Sequence, residues 1–433
     1  MKQATHDHAL RGLLMAAVWL ALTGCQPPLP VEKAPAQKAV SARKPAPLAD
    51  YGGEKILMMH YMPWYRTKAV RGFWGSHWTG HNAEHNPDQI GEDGLPDIWS
   101  HYHPLIGLYD STDPDVLECH LLQMKLAGID GVIADWYGIA GVADFPEIHD
   151  ATRALFDAAR INGMTFAACY EDRTIQLQVE WGKLEPDQIP QQLAETFRWM
   201  EDNWFSHAHY QQFLDRPLVL NFGPIYVRDP APWNAARNAL SVKPVLFGLH
   251  HIWRLAGGDG GFTWVHHEPF QDVSSPETIR TRIGEVFSYF SKNPDEVIVS
   301  AYPGFNDVYT HERHQELAYR DGKTLEQTLE VGMAGPWKMI QLVTWNDYGE
   351  GTMIEPTHEF GYRFLEIVQD ARRQEQGASF RYTHEDLRLP ARLLDLRRTG
   401  NLDRSELDAI ADHLARGQTP EARRLLDRLE AAR

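Results

Sequence analysis

From residue 54 onward the chain alternates between two patterns. Short apolar runs end in polar and aromatic residues, and stretches follow in which apolar residues recur every three or four positions. The runs read "KILMMHYMPWY", "GVIADWYG", "TFAACYED", "PLVLNFGP", "PVLFGLHHIW", "FTWVHHEPF", "VIVSAYPGFND" and "MIQLVTWNDYGE", eight in all. Between them, "DPDVLECHLLQMKLAG" opens with Asp113 and Pro114 and closes on Gly128, a helix start and stop. "FPEIHDATRALFDAARING" and "PDQIPQQLAETFRWMEDNWF" carry the same helical period, and "SPETIRTRIGEVFSYFSKN" offers Ser275 as N-cap with Pro276 behind it. Eight strands alternating with helices predict an α/β fold, a (β/α)8 TIM barrel over residues 54–375. An open doubly wound sheet is the other arrangement of such units. Every run here ends in functional-looking chemistry, and only a barrel brings all eight carboxyl ends to one mouth.

The flanks break this pattern. Residues 1–25 combine Lys2 and Arg11 with the apolar stretch "GLLMAAVWLALTG", which predicts an export signal. Residues 26–53, rich in Pro, Ala and Lys without apolar periodicity, read as an extended tether. Residues 376–433 are charged and helical, a small C-terminal appendage. Asp395, Gly400, Leu402 and Glu406 fall at the spacing of a calcium loop, but Arg397 and Thr399 stand where ligands belong. The better reading is a helix ending at Gly400 and another capped by Asp403.

Composition narrows the chemistry. A net charge of −17 argues against nucleic acid, whose phosphates demand a basic surface. No GxGxxG or P-loop follows a strand, so no nucleotide cofactor is expected. Beyond Cys25, Cys119 on a helix and Cys169 in a strand read as two buried free thiols. Histidines 77, 81 and 85 recur every four residues in a stretch broken by glycines, and the pairs His250–His251 and His266–His267 lack the His-x-His pattern of barrel metallohydrolases. No catalytic metal is therefore expected.

The eighth run leads into "VTWNDYGEGTMIEP". Asp347, Glu350 and Glu355, with Glu359 just beyond, are interleaved with Trp345, Tyr348 and glycines. One acid would cap the next helix; four exceed that need. Glycoside hydrolysis uses two carboxylates, a protonated acid for the leaving oxygen and a base or nucleophile, and mutual repulsion beside aromatic rings separates their pKa values. The other strand ends supply candidate sugar contacts. Trp64, Trp78, Trp136 and Trp253 are candidates for stacking. His60, Tyr61, Asp135, Glu171, Asn221, His250, Glu268, Tyr302 and Asn346 are candidates for hydroxyl binding, joined by Trp345, Tyr348 and Glu355 of the acidic loop. Glu171 and Glu268, each ending a run, are also second-rank catalytic candidates.

"TWNDYGEGTMIEPT" followed by "GYRFLE" resembles the glycoside hydrolase family 71 and 99 group, which includes endo-α-mannosidases, endo-α-mannanases and α-1,3-glucanases. "HYMPWY", "SHWTG", "GLYDSTDPDVLECHLLQMKLAGIDGVIADWYG" and "AYPGFND" extend the likeness over about residues 54–370. The resemblance implies an endo-acting glycosidase on an α-linked mannan- or glucan-type glycan. It implies Glu350 as general acid/base and Asp347 in the place of the second carboxylate, which in the mannan-active enzymes is a Glu thought to deprotonate the sugar 2-hydroxyl. The aspartate at 347 matches the glucanase form. "LTGC" resembles a bacterial lipobox and implies lipidation at Cys25, with Gln26 next to it pointing to an outer-membrane or periplasmic location and membrane contact through that lipid alone.

Overall fold

The computed structural model describes residues 43–271, 275–289, 291–309 and 315–432. The expected signal, Cys25 and residues 26–42 of the tether lie outside these. Eight strands form the barrel: β1 (Ile56–Tyr61), β2 (Gly131–Trp136), β3 (Thr165–Tyr170), β4 (Arg216–Asn221), β5 (Val245–Leu249), β6 (Gly260–Phe262), β7 (Val297–Ala301) and β8 (Met339–Leu342). All eight neighbour pairs are parallel, and β1 pairs β8 through Ile56↔Met339, closing the ring. The fold is the (β/α)8 barrel that the alternation of patterns predicts.

Each sequence run falls on its strand except the sixth. There the strand lies in "GGF", just before most of the run. Cβ atoms at Gly260 and Gly261 would come within 2.4 Å of the Phe247 ring and 2.6 Å of the Trp253 indole. The close approach requires glycine and removes the apolar signal that marks a strand. The connection between β5 and β6 is also cut down, to a 3-10 turn, Trp253–Ala256.

Strand alternation sorts the side chains. Met58, Ile133, Ala167, Cys169, Leu218, Leu220, Phe247, Phe262, Ile298 and Met339 fill the barrel interior. Leu57, Met59, Val132, Ala134, Phe166, Val219, Val299 and Ile340 face the helices. By the same parity His60, Asp135 and Glu171 point inward at the carboxyl ends, and Tyr61, Trp136, Tyr170 and Asn221 point outward.

Folded structure begins before residue 54. Ala46 N–H donates to Ile161 O and Ala49 N–H to Gly163 O, both at 2.9 Å. Arg43 is buried between Glu118 (2.6 Å) and Asp412 (2.8 Å). Residues 43–49 therefore dock beside the start of β3, at the end of the barrel opposite the mouth, and are not free tether. Their Pro- and Ala-rich composition conceals this because backbone bonds and one arginine do the fastening.

The C-terminal appendage is helical as expected: Leu389–Thr399, Arg404–Ala415 and Thr419–Ala431. Gly400 takes a left-handed φ of 68° as a helix stop, and the Asp403 side chain accepts from Ser405 N–H. Asp395 sits within a helix, so the calcium-loop spacing is incidental. The appendage packs its leucines against the helix Pro114–Leu126 and adds ion pairs, Arg397 to Glu118 (2.8 Å) and Arg404 to Asp115 (2.6 Å). Cys119 and Cys169 are buried free thiols. Among the described residues, no helix is long and apolar enough to cross a membrane.

Candidate active site

The loop after β8 turns sharply enough to place two acids side by side. Asp347 N–H donates to Thr344 Oγ1 at 2.8 Å, and Asp347 Oδ1 accepts Glu350 N–H at 2.9 Å. Asp347 also receives the Gly349 N–H and the Tyr309 hydroxyl. A Cβ at Gly349 would lie 2.0 Å from the Tyr309 oxygen, so glycine is what lets that hydroxyl reach the acid. Glu350 takes the indole N–H of Trp264 on Oε2, at 3.3 Å.

Burial raises both acids, Asp347 to about 7. Glu350 is raised well above the usual range by burial and then by the charge of Asp347, against the single opposing bond from Trp264. The pair shares its protons. Three hydrogen-bond donors favour the anion at Asp347, so the proton resides on Glu350. This is the division between acid and base that glycoside cleavage needs.

Two more carboxylates face the same space. Asp135, nearly fully buried, is raised by burial and by Glu171, and burial brings Glu171 to about 7. The Tyr137 hydroxyl lies beside both and opposes part of each rise. His60 points in from β1 with its Nδ1 3.4 Å from Gln341 Oε1, and burial lowers it to about 4, so it is neutral. Its ring stands edge-on to Trp264 at 5.0 Å. The structure thus gathers Asp347, Glu350, Glu171, Asp135 and His60.

Other sequence candidates lie elsewhere, and their expected sugar contacts are corrected by what they touch. Tyr61 faces the helix layer, its hydroxyl 3.0 Å from His120 Nδ1. Trp136 donates to His149 at 3.1 Å on that side. Asn221 stands at an outward position of β4, level with the outward Tyr170 in the β3–β4 register. Trp78 donates to Tyr109 O at 3.2 Å within a cluster of Tyr65, Tyr109 and Tyr348. Trp345 is fully buried near His120. Asn346 ties β1 to the loop through Met62 N–H (2.8 Å) and Met62 O (3.1 Å). Glu355 is the anchor beneath, held by Tyr109 (2.7 Å), Tyr348 (3.0 Å) and His120 (3.0 Å). Trp253 is buried under Arg254, and Tyr302 is buried with its hydroxyl on His266 O at 3.1 Å. Trp64 is covered by a stacked His77 at 4.3 Å.

His250 is buried just after β5, with its ring 4.7 Å from His266 and 5.1 Å from His251. Histidines 77, 81 and 85 turn to Trp64, Trp99 and Asp97 respectively. Glu268 is 57% exposed, 3.6 Å from His266 Nδ1, and the His266 bond lowers it to about 2. A carboxylate ionised throughout the neutral range cannot be the proton donor. Glu268→Gln is expected to leave turnover within about threefold of the parent, by initial-rate assay.

Sequence reading missed Trp264, Tyr137 and Tyr309. Trp264 had a usable signal, two residues past the inward Phe262. The tyrosines lie on loops, where no periodicity applies.

No family model matches the chain. Relatives do. A Danio rerio glycoprotein endo-alpha-1,2-mannosidase-like protein is 25% identical over 296 residues, 63% of this chain and 61% of the relative. A Homo sapiens protein of the same name is 25% identical over 344 residues, covering 72% and 70%. A GH99 endo-alpha-mannosidase from Bacteroides thetaiotaomicron superposes with a TM-score of 0.54 at 17% identity, over 75% of this chain and 97% of that one. By sequence the chain is similar to glycoprotein endo-alpha-1,2-mannosidase-like proteins. The chain spans a little under two thirds of the zebrafish relative, and the solved structure matches its barrel fold.

Proposed function

We propose that this chain is an endo-acting glycoside hydrolase on α-mannose-containing glycans, with Glu350 as the general acid and Asp347 as the base. The observation that carries the reading is the unequal pair: Asp347 accepts three donors and Glu350 one, on a buried loop at the barrel mouth. Glu350 protonates the glycosidic oxygen as the bond to the anomeric carbon breaks. Asp347 takes a proton from the attacking oxygen, which in the role its position resembles is the sugar 2-hydroxyl. Glu171 lines the same space as an acceptor for sugar hydroxyls. The mannose assignment follows the names of the relatives. Asp347, matching the glucanase form of the loop, favours α-1,3-glucan as the second substrate to test. We further propose export and lipidation at Cys25. The chain enters the barrel opposite its mouth, so an anchored enzyme would present its site away from the membrane.

Two experiments examine this reading. Incubation with α-mannan and α-1,3-glucan, with products sized by chromatography, should yield oligosaccharides from internal cleavage; no cleavage of any α-glycan would contradict it. The pH profile follows from the pair. Activity requires ionised Asp347, so it falls as pH drops through about 7, and it requires protonated Glu350, so it falls again on the alkaline side as that proton is lost. A bell with its acid limb near neutrality is expected in kcat/KM.

A further inference from the structure

His60, Asp135 and Cys169 stand on β1, β2 and β3, and one donor atom from each lies within 4.8 Å of the other two. We propose that these three side chains form a binding site for a zinc-class divalent cation in the wall of the barrel, just beneath the candidate catalytic acids. Asp135 and Cys169 are directly opposite in the β2–β3 register, both facing inward. His60 reaches them from the far side of β2.

The hydrogen bonds define which atoms are offered. Gln341 donates its amide NH2 to Thr263 O (2.8 Å) and to Ser300 Oγ (2.9 Å), which turns its Oε1 toward His60. An oxygen there requires the proton on His60 Nδ1. The lone pair is then on Nε2, an atom that is fully buried and has no hydrogen-bond partner. Asp135 Oδ1 is likewise buried and unpartnered, its carboxylate being supported by the Tyr137 hydroxyl. Two orphaned acceptors aimed together are costly in an empty protein interior. A cation satisfies both. An imidazole whose other nitrogen donates to a carbonyl oxygen is the usual arrangement behind a metal-bound histidine.

One nitrogen, one sulfur and one carboxylate oxygen suit zinc or cobalt, not magnesium or calcium, which take oxygen. Three protein ligands leave a fourth position for water. Tetrahedral zinc holds such donors about 3.5 Å apart, so small side-chain rotations complete the contraction. Spacing along the chain could not reveal the site, because its donors come from three strands.

The test is direct binding to the mature protein, independent of any glycan assay. Cobalt titration should saturate at one ion per chain, with a near-ultraviolet thiolate-to-cobalt band, and zinc should displace it. Cys169→Ser should lose that band and bind zinc at least tenfold more weakly, while Cys119→Ser should retain both. Gln341→Leu, which releases the His60 ring, should weaken zinc about tenfold or more with the thiolate band intact. Circular dichroism of each apo variant confirms folding. Should Cys169→Ser not fold, the cobalt band in the parent and the Gln341→Leu effect decide the matter. No stoichiometric binding by the parent, or a thiolate band that survives in folded Cys169→Ser, would overturn the site.

Discussion

Asp347→Asn is expected to lower kcat on an α-glycan by about 10³-fold or more, with the folded state intact. The carboxamide keeps the shape and one carbonyl oxygen for the Glu350 N–H, so the loop holds. What is lost is the group able to take a proton. Its removal also abolishes the acid limb of the pH profile, since that limb is the protonation of Asp347, and it eases proton loss from Glu350 by deleting the adjacent charge. Residual activity should therefore decline with rising pH at a lower value than in the parent. Initial rates across the pH range check both effects. An Asp347→Asn enzyme with parental rates and an unchanged acid limb would remove this residue from the mechanism.

The second large effect concerns stability. Glu118 is buried between two guanidinium groups, Arg43 at 2.6 Å and Arg397 at 2.8 Å, and so joins the entering segment, the barrel helix and the appendage. Glu118→Ala leaves those arginines without the shared anion. Breaking a buried pair from one side costs about 3–5 kcal/mol. Asp412 and Asp408, which also contact Arg43 and Arg397, hold the loss to the lower part of that range. Chemical denaturation should show a lower midpoint. The triple replacement Arg43→Met, Glu118→Leu, Arg397→Met should recover much of it, because well-packed apolar groups need no desolvation. A Glu118→Ala midpoint equal to the parent's would mean that this arginine–glutamate cluster adds nothing to stability.

The barrel was legible because its signal is periodic. Seven of eight strands carry the apolar run in their own residues, and the exception, Gly260–Phe262, lost it to close packing against Phe247 and Trp253. The acid pair was legible because Asp347 and Glu350 lie three residues apart on one loop. The rest of the mouth was only half legible. Every strand-end residue looked equally available in the sequence, yet strict alternation sends His60, Asp135 and Glu171 inward and their neighbours Tyr61, Trp136 and Tyr170 outward. Applying that parity would have withdrawn Tyr61 and Trp136 at once. It could not have withdrawn Glu355, whose burial depends on Tyr109 and His120, both more than two hundred residues earlier in the chain. Nor could it have found Tyr309, whose approach to Asp347 depends on a missing side chain at Gly349. The docked segment 43–49 was illegible for a related reason, since its fastening is by backbone groups that composition does not report.

The central claim is that Glu350 donates the proton to the leaving oxygen. It is tested most directly by comparing Glu350→Gln on two substrates that differ only in leaving group. With a sugar leaving group, which needs protonation, kcat should fall by about 10³-fold or more. With a nitrophenyl leaving group of low pKa, the bond breaks without that help and bond cleavage should remain within about tenfold of the parent. Equal losses on both substrates, or parental rates on the glycan, would contradict the assignment.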